Sequence, residues 1–91
     1  MKTYSFRLYI NGQSVRAARA IESMRALCHG PLNDLAEIDV IDVREHPGLA
    51  EEDHVLATPT LIKLSPPPVR RIIGDLSNSR DVLAGLDLDA E

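Results

Sequence analysis

Residues 57–88, ATPTLIKLSPPPVRRIIGDLSNSRDVLAGLDL, contain three consecutive prolines between two segments with the composition of β-strands. The three prolines are Pro66, Pro67 and Pro68. Because proline lacks a backbone N–H and fixes φ, three in a row cannot lie inside a paired strand or a helix. They therefore predict a rigid connection between a strand over Pro59 to Leu64 and a strand over Val69 to Gly74.

The end of this stretch is compatible with two structures. Ser77 or Asn78 can cap a helix that runs to about Leu86. Alternation instead places four apolar residues on one side of a strand: Val82, Ala84, Leu86 and Leu88. Gly85 weakens a helix by about 1 kcal/mol relative to alanine, and Asp87 opposes the helix dipole by a few tenths of a kcal/mol. The residues themselves leave both structures open.

The first third of the chain predicts a strand followed by a helix. Tyr4 to Ile10 alternates apolar and polar residues, which is typical of a half-buried strand. Ser14 is expected to cap the helix, and Gly30-Pro31 is expected to end it. The helix has one apolar stripe, made of Ala17, Ala20, Ile21, Met24, Leu27 and Cys28.

The middle of the chain predicts a second strand and a short helix. Ala36 to Val43 has apolar residues on both faces, as in a sheet that is covered on both sides. Pro47 can begin a helix that runs to Leu56, with Leu49, Ala50 and Leu56 facing inward. The resulting order, β-α-β-α-β-β-α in one domain over residues 1–91, is the thioredoxin order. Folds of this type place a cis proline at the position of Thr58-Pro59.

The composition excludes several classes of protein. The chain has 91 residues, a net charge of -4 and only 3% aromatic residues, which argues against nucleic-acid binding. No apolar run approaches the roughly 18 residues of a membrane span. A single cysteine cannot form an internal disulfide, so we expect a soluble cytoplasmic protein. The histidines, His29, His46 and His54, have no metal-ligand spacing, and we expect no metal or cofactor.

The residues that thioredoxin chemistry requires are missing. A reactive thiolate is needed at the start of the first helix, where the helix dipole lowers its pKa. That turn is Asn11-Gly12-Gln13-Ser14, and Cys28 lies near the other end of the helix. The pattern therefore favours a binding module over an enzyme.

Several blocks of sequence resemble the KaiB family. The most specific is PPPVRRIIGD, from Pro66 to Asp75, and others are Val40 to Val43, Leu49 to Asp53 and Ala57 to Leu61. The resemblance implies a non-enzymatic clock or timer regulator that binds a KaiC-type ATPase ring and modulates its phosphorylation cycle. The short loop at Gly12 implies a divergent branch of the family.

The resemblance also implies roles for particular residues. Arg16, His54, Arg70 and Arg71 match basic or partner-facing positions. KaiB proteins switch between a thioredoxin-like monomer and a tetramer whose second half is refolded as β-α-α-β. The residues assigned to this switch are Pro59, Pro66, Pro67, Pro68, Gly85 and Asp87. We expect the thioredoxin-like packing to be the observed one.

Two other functions are compatible with this fold class. One is a thioredoxin-type redox enzyme, which the absent cysteine pair disfavours. The other is a thioredoxin-like sensor or adaptor module of a two-component or stress-response system. Candidate partners in addition to the ATPase ring are a KaiA-like protein and a histidine kinase, with no nucleic acid and no membrane.

Overall fold

The computed structural model describes residues 3–88, so the outer limits of the predicted domain, residues 1 and 91, lie outside the described range. The elements are β1 (Tyr4–Ile10), α1 (Val15–His29), β2 (Ala36–Asp42), α2 (Pro47–Glu52), β3 (Thr60–Ser65), β4 (Arg70–Ile73) and α3 (Ser79–Gly85). The predicted β-α-β-α-β-β-α order is confirmed. The helical alternative for residues 79–85 is the one observed.

The four strands form one mixed sheet in the order β2-β1-β3-β4. β1 pairs with β2 in parallel and with β3 in antiparallel orientation, and β3 and β4 form an antiparallel hairpin. The parallel pair needs a crossover, which α1 provides. β2 and β4 are therefore the two edge strands.

The main core lies between the sheet and the two helices α1 and α3. Alternation along β1 points Phe6, Leu8 and Ile10 to this side, where they are at most 8% exposed. The α1 stripe packs against them through Ala17, Ala20, Met24, Leu27 and Cys28, with Ile21 partly buried. From α3 come Val82 and Leu83, followed by Leu86.

The opposite face of the sheet carries only α2. Tyr9, Ala50 and Ile62 form a small second core there, with partly buried neighbours that include Val55. A helix of six residues covers little of the sheet, so Ile73 on β4 remains 56% exposed.

The prediction that β2 is covered on both faces was wrong. Val40 is 44% exposed, because β2 lies at the edge of the sheet and α1 makes few contacts with it. The strand also ends at Asp42, one residue before the predicted end.

The prediction that α2 continues to Leu56 was also wrong. The N–H of His54 donates to the carbonyl of Glu51 (3.1 Å), and the N–H of Val55 donates to the carbonyl of Ala50 (2.9 Å). With His54 at φ 55°, these bonds form the Schellman motif that ends a helix. The chain turns away there, so Leu56 is 92% exposed rather than buried, and Leu49 is 39% exposed.

The other helix ends follow local rules. Ser14 Oγ accepts the Ala17 N–H at 3.1 Å, and Asn78 Oδ1 accepts the Asp81 N–H at 3.0 Å. Asn78 is therefore the cap of α3, and Ser77 is not. α3 ends in a second Schellman motif, in which Asp87 has φ 60° and the Leu88 N–H donates to the Leu83 carbonyl at 2.8 Å.

Candidate functional site

The residues predicted to contact a partner lie on three separate parts of the surface. Arg16, in the first turn of α1, is exposed and lines a cleft of about 280 Å³ beside Pro59. Arg19 lines the same cleft from one helical turn further on, opposite Asp75. The start of α1 thus presents two cationic side chains next to the loop that joins β4 to α3.

Arg70 and Arg71 are neighbours in sequence but point to opposite faces of the sheet. Arg70 lies opposite Lys63, on the face covered by α1 and α3, whereas Arg71 lies opposite Ile62, on the face of α2. Both arginines are exposed on an edge strand. The structure does not bring them into one basic patch with Arg16.

The structure does bring Arg71 and His54 together. Arg71 Nη2 donates to the carbonyl oxygen of Asp53 at 2.7 Å, and Nη1 donates to the carbonyl oxygen of His54 at 3.3 Å. These carbonyls lie at the end of α2, where a cation is favourable. Arg71 therefore stabilises α2, a role that the sequence did not indicate.

The charges of the predicted contact arginines are not neutralised by ion pairs inside the described chain. The ion pairs observed over residues 3–88 join Arg7 to Asp53, Arg44 to Asp42, and His29 to Asp34. None of these includes Arg16, Arg70 or Arg71. The guanidinium groups of Arg16 and Arg70 are therefore free of ion pairs, whereas that of Arg71 is held by two backbone carbonyls.

A polar cluster between β1 and α2 was not predicted. Arg7 Nη1 donates to Asp53 Oδ2 at 2.8 Å, and the Tyr9 hydroxyl donates to the same oxygen. Tyr9 is fully buried and also lies 3.2 Å from the carbonyl oxygen of Leu49. The only sequence signal was the polar side of an alternating strand, which does not say what Arg7 and Tyr9 would meet.

Two of these groups have shifted pKa values. Burial and the hydrogen bond to Asp53 raise the pKa of Tyr9 to about 12. Burial alone would raise the pKa of Asp53, but the hydrogen bonds from Tyr9 and Arg7 and the nearby positive charges outweigh it, so the pKa is lowered. Asp53 is thus held in its charged form and Tyr9 in its neutral form.

The residues assigned to the fold switch occupy three regions, which are the start of β3, the connection between β3 and β4, and the end of α3. The peptide bond before Pro59 is cis, as the fold analogy predicts, and so are the bonds before Pro66 and Pro68. Gly85 packs closely on β4: a Cβ added there would lie 3.0 Å from Cδ1 of Ile72. Asp87 occupies the left-handed position that ends α3.

The turn where a thioredoxin-type thiol would lie is occupied by a backbone arrangement that needs glycine. Gly12 has φ +66°, and a Cβ there would lie 2.6 Å from Cζ of Arg44. Its N–H donates to Asp42 Oδ1 at 3.2 Å. Cys28 is 7% exposed and lies in the main core, near the far end of α1.

Residues 3–88 contain no group of three or more histidine, cysteine or acidic side chains arranged to hold a metal ion. In the same range, each helix is too short or too polar to cross a membrane.

The sequence is similar to known clock proteins over nearly its whole length. The model of the KaiB domain matches residues 7–88. The circadian clock protein KaiB3 of Synechocystis sp. is 48% identical over 91 residues, which cover all of this chain and 89% of the relative. The circadian clock oscillator protein KaiB of Thermosynechococcus vestitus is 51% identical over 87 residues, which cover 96% of this chain and 81% of the relative.

The solved structures that resemble this one have the thioredoxin-like fold. The N-terminal domain of Synechococcus elongatus SasA superposes with a TM-score of 0.75 at 19% identity, covering 96% of this chain and 86% of that domain. Mitochondrial thioredoxin 3 of Saccharomyces cerevisiae gives 0.73 at 18% identity, covering 96% and 79%. At such low identity these likenesses establish the fold alone.

Proposed function

Because the chain belongs to the KaiB family of circadian clock proteins, we propose that it binds a KaiC-type ATPase ring and modulates its phosphorylation cycle. The main support is the identity of about half of the residues to KaiB and KaiB3 proteins over almost the entire chain. We place this non-enzymatic regulator in the cytoplasm. A KaiA-like protein or a histidine kinase is a candidate second partner.

The arrangement of charge supports a specific basic contact. The chain carries a net charge of -4, so general attraction to an acidic ring is opposed. Arg16 and Arg70 are exposed and take part in no ion pair within the described range. Local cations on an acidic molecule orient a complex and set its association rate. We propose that these two residues make the main charged contacts with the ring.

Arg71 and His54 contribute through α2. Arg71 donates to the carbonyls of Asp53 and His54. A partner that binds its guanidinium group must therefore either bind it together with these carbonyls or displace them. We therefore propose that Arg71 couples ring binding to the position of α2. His54 contributes its backbone turn in addition to any side-chain contact.

Fold switching is the second part of the proposal. The observed packing is the thioredoxin-like one. In it, α3 is a seven-residue helix that is followed by Asp87 in a left-handed conformation. Both the short helix and the left-handed aspartate weaken this packing. A strand over the same residues would keep their apolar alternation, which supports a second packing within a few kcal/mol.

Binding is tested with a purified KaiC-type ATPase ring and single charge reversals. We expect Arg16→Glu and Arg70→Glu each to weaken binding about fivefold or more and to reduce its salt dependence. Arg25→Glu is the matched control, because Arg25 is an exposed arginine elsewhere on α1. Equal affinity for all three variants and the unmodified chain would remove the basic contact from the proposal.

Fold switching is tested by mass and by NMR together. A monomer with helical secondary shifts over residues 79–85, in exchange with a tetramer with strand-like shifts there, is the expected result. A monomer with helical shifts under every condition, including excess ATPase ring, would contradict it.

The absence of redox catalysis is tested separately. The turn Asn11 to Ser14 carries no thiol, and Cys28 is buried at the opposite end of α1. We expect no reduction of a disulfide substrate above the uncatalysed rate. Reduction that is lost in Cys28→Ser would replace the proposal by the enzyme alternative.

A further inference from the structure

A groove with an apolar floor lies between α2 and the residue that follows β2. Val43, at the end of β2, lies on one side, and Ala50 and Val55 form the base. Pro47, His54 and Leu56 also line the groove, and the cavity has a volume of about 360 Å³. This volume has room for one or two large side chains of another molecule.

The exposure of Leu56 is a direct result of how α2 ends. The Schellman motif at His54 turns the chain outward, so the side chain of Leu56 stands at the rim with 92% of its surface exposed. No element within residues 3–88 covers it. A large aliphatic side chain held at the edge of an apolar groove is characteristic of a contact with another protein.

The groove has an acidic surround. Glu51 lines it, and Glu45 and Glu52, which are also exposed, flank it along the chain. Within the described residues, none of these three carboxylates takes part in an ion pair. The neighbouring carboxylates of Asp42 and Asp53 differ, because Arg44 and Arg7 pair with them.

The nearest cations do not neutralise this surround. Arg44 is directed to Asp42, at an Nη2 to Oδ2 distance of 3.5 Å. Arg71 donates to backbone carbonyls at the end of α2 and does not line the groove. His54 also lines the groove, but the three carboxylates outnumber it, so the surround has a net negative charge, in contrast to the cationic surfaces at Arg16 and Arg70.

We propose that this groove docks a helix or loop of another protein that carries one large aliphatic side chain between lysines or arginines. The aliphatic group would fill the space between Val43, Ala50 and Leu56, and the flanking cations would face Glu51 and Glu52. Complementary charge sets the choice of partner and its orientation, and the apolar anchor gives the contact its affinity. The inference uses none of the predicted contact arginines, although His54, which also lines the groove, is one of the residues assigned to a partner-facing position.

The test is an NMR titration of the isotope-labelled full chain with synthetic helical peptides of about 14 residues. The first peptide has one central leucine flanked by lysines, the second has glutamates in place of the lysines, and the third has serine in place of the leucine. We expect saturable shift changes confined to residues 43–56 with the first peptide alone. Equal binding of the second or third peptide would overturn the proposal.

Matched variants locate the contact. We expect Glu51→Lys to weaken binding of the first peptide by about tenfold and Leu56→Ser by about fivefold. Glu22→Lys and Val15→Ser are the matched controls, because both residues are exposed on α1, on the opposite side of the sheet from α2. They should leave affinity within about twofold. Dispersed spectra of every variant confirm folding.

Two results would show that the groove does not dock a separate protein. An equal loss of affinity in Glu22→Lys would show attraction to net charge without a docking site. Concentration-dependent shifts of residues 43–56 without any peptide would show that a second copy of this chain occupies the groove, since exposed Val15 next to Arg16 has similar chemistry. Either result overturns docking of a separate protein.

Discussion

The Nη1 atom of Arg7 lies 2.8 Å from Oδ2 of Asp53, and this contact joins the central pair of strands to the residue at the end of α2. Tyr9 donates to the same carboxylate, and Arg71 donates to the backbone carbonyl of Asp53. α2 itself fully buries only Ala50. Polar contacts around one aspartate therefore add to the limited apolar packing that holds α2 in place.

The first prediction concerns Asp53. We expect Asp53→Asn to lower the free energy of unfolding by about 1–2 kcal/mol, because Arg7 loses a charged acceptor while both side chains are only partly exposed. Urea denaturation measures this change. Glu52→Gln, at the adjacent exposed position, should stay within about 0.5 kcal/mol. Equal losses in the two variants would show that the contacts of Asp53 add no more to the free energy of unfolding than an exposed carboxylate does.

The second prediction concerns alkaline pH. The pKa of Tyr9 is raised from about 10 in an unfolded chain to about 12 in the fold. A raised pKa stabilises the fold fully below the unfolded value, and this stabilisation is lost as pH rises through the folded value. We therefore expect the free energy of unfolding to decrease between about pH 10 and about pH 12.

The measurement is chemical denaturation at several pH values across that window. Tyr9→Phe should remove most of the decrease, because phenylalanine has no proton to lose. Tyr4→Phe serves as the control and should retain it. A decrease that is identical in Tyr9→Phe would have to come from another group.

The third prediction concerns the end of α3. Asp87 has φ 60°, a conformation that glycine adopts at no steric cost. We expect the free energy of unfolding of Asp87→Gly to exceed that of Asp87→Ala by about 1 kcal/mol, since both lack the charge and differ only in backbone freedom. If the alanine variant is equally stable, residue 87 does not keep the left-handed conformation in solution.

The fourth prediction concerns Gly85. Helix propensity alone would make Gly85→Ala stabilising by about 1 kcal/mol, but the new methyl group would lie 3.0 Å from Cδ1 of Ile72. We expect the single variant to be near neutral and part of the gain to reappear when Ile72→Val removes Cδ1, because Cγ1, at 3.2 Å from the new methyl group, remains. A double-mutant cycle by urea denaturation should give a coupling of about 0.5–1 kcal/mol. Strictly additive changes in the free energy of unfolding would show that the contact with Ile72 does not affect the stability of Gly85→Ala.

The strands and the long helix could be predicted because their signals are local. Alternation along Tyr4–Ile10 and the Ser14 cap each involve neighbouring residues, and both agree with the structure. The triple proline likewise separates β3 from β4, as expected. The ambiguous last segment became a helix, in which Asn78 provides the cap and Leu86 packs in the core.

The contacts between distant elements could not be predicted. Asp53 meets Arg7 and Tyr9 across more than 40 residues, and no spacing rule connects such positions. The end of α2 depended on His54 taking a left-handed conformation, which glycine or asparagine would have signalled and histidine did not. That single turn decided whether Leu56 was buried or exposed.

The acidic groove was not predicted, because the end of α2 was placed incorrectly. The helical pattern predicts an inward-facing Leu56 and gives no role to Glu51. The observed turn at His54 places the leucine beside Glu51 in the lining of the same groove.

The two edge strands also affect solubility. Each presents unpaired backbone groups to which another sheet could add and so begin aggregation, and natural proteins protect such edges with charged side chains. Arg70 and Arg71 provide that protection on β4, and Glu37 and Asp39 provide it on β2. A variant that replaces either arginine with an apolar residue in order to weaken a contact therefore also removes a barrier to self-assembly into extended sheets.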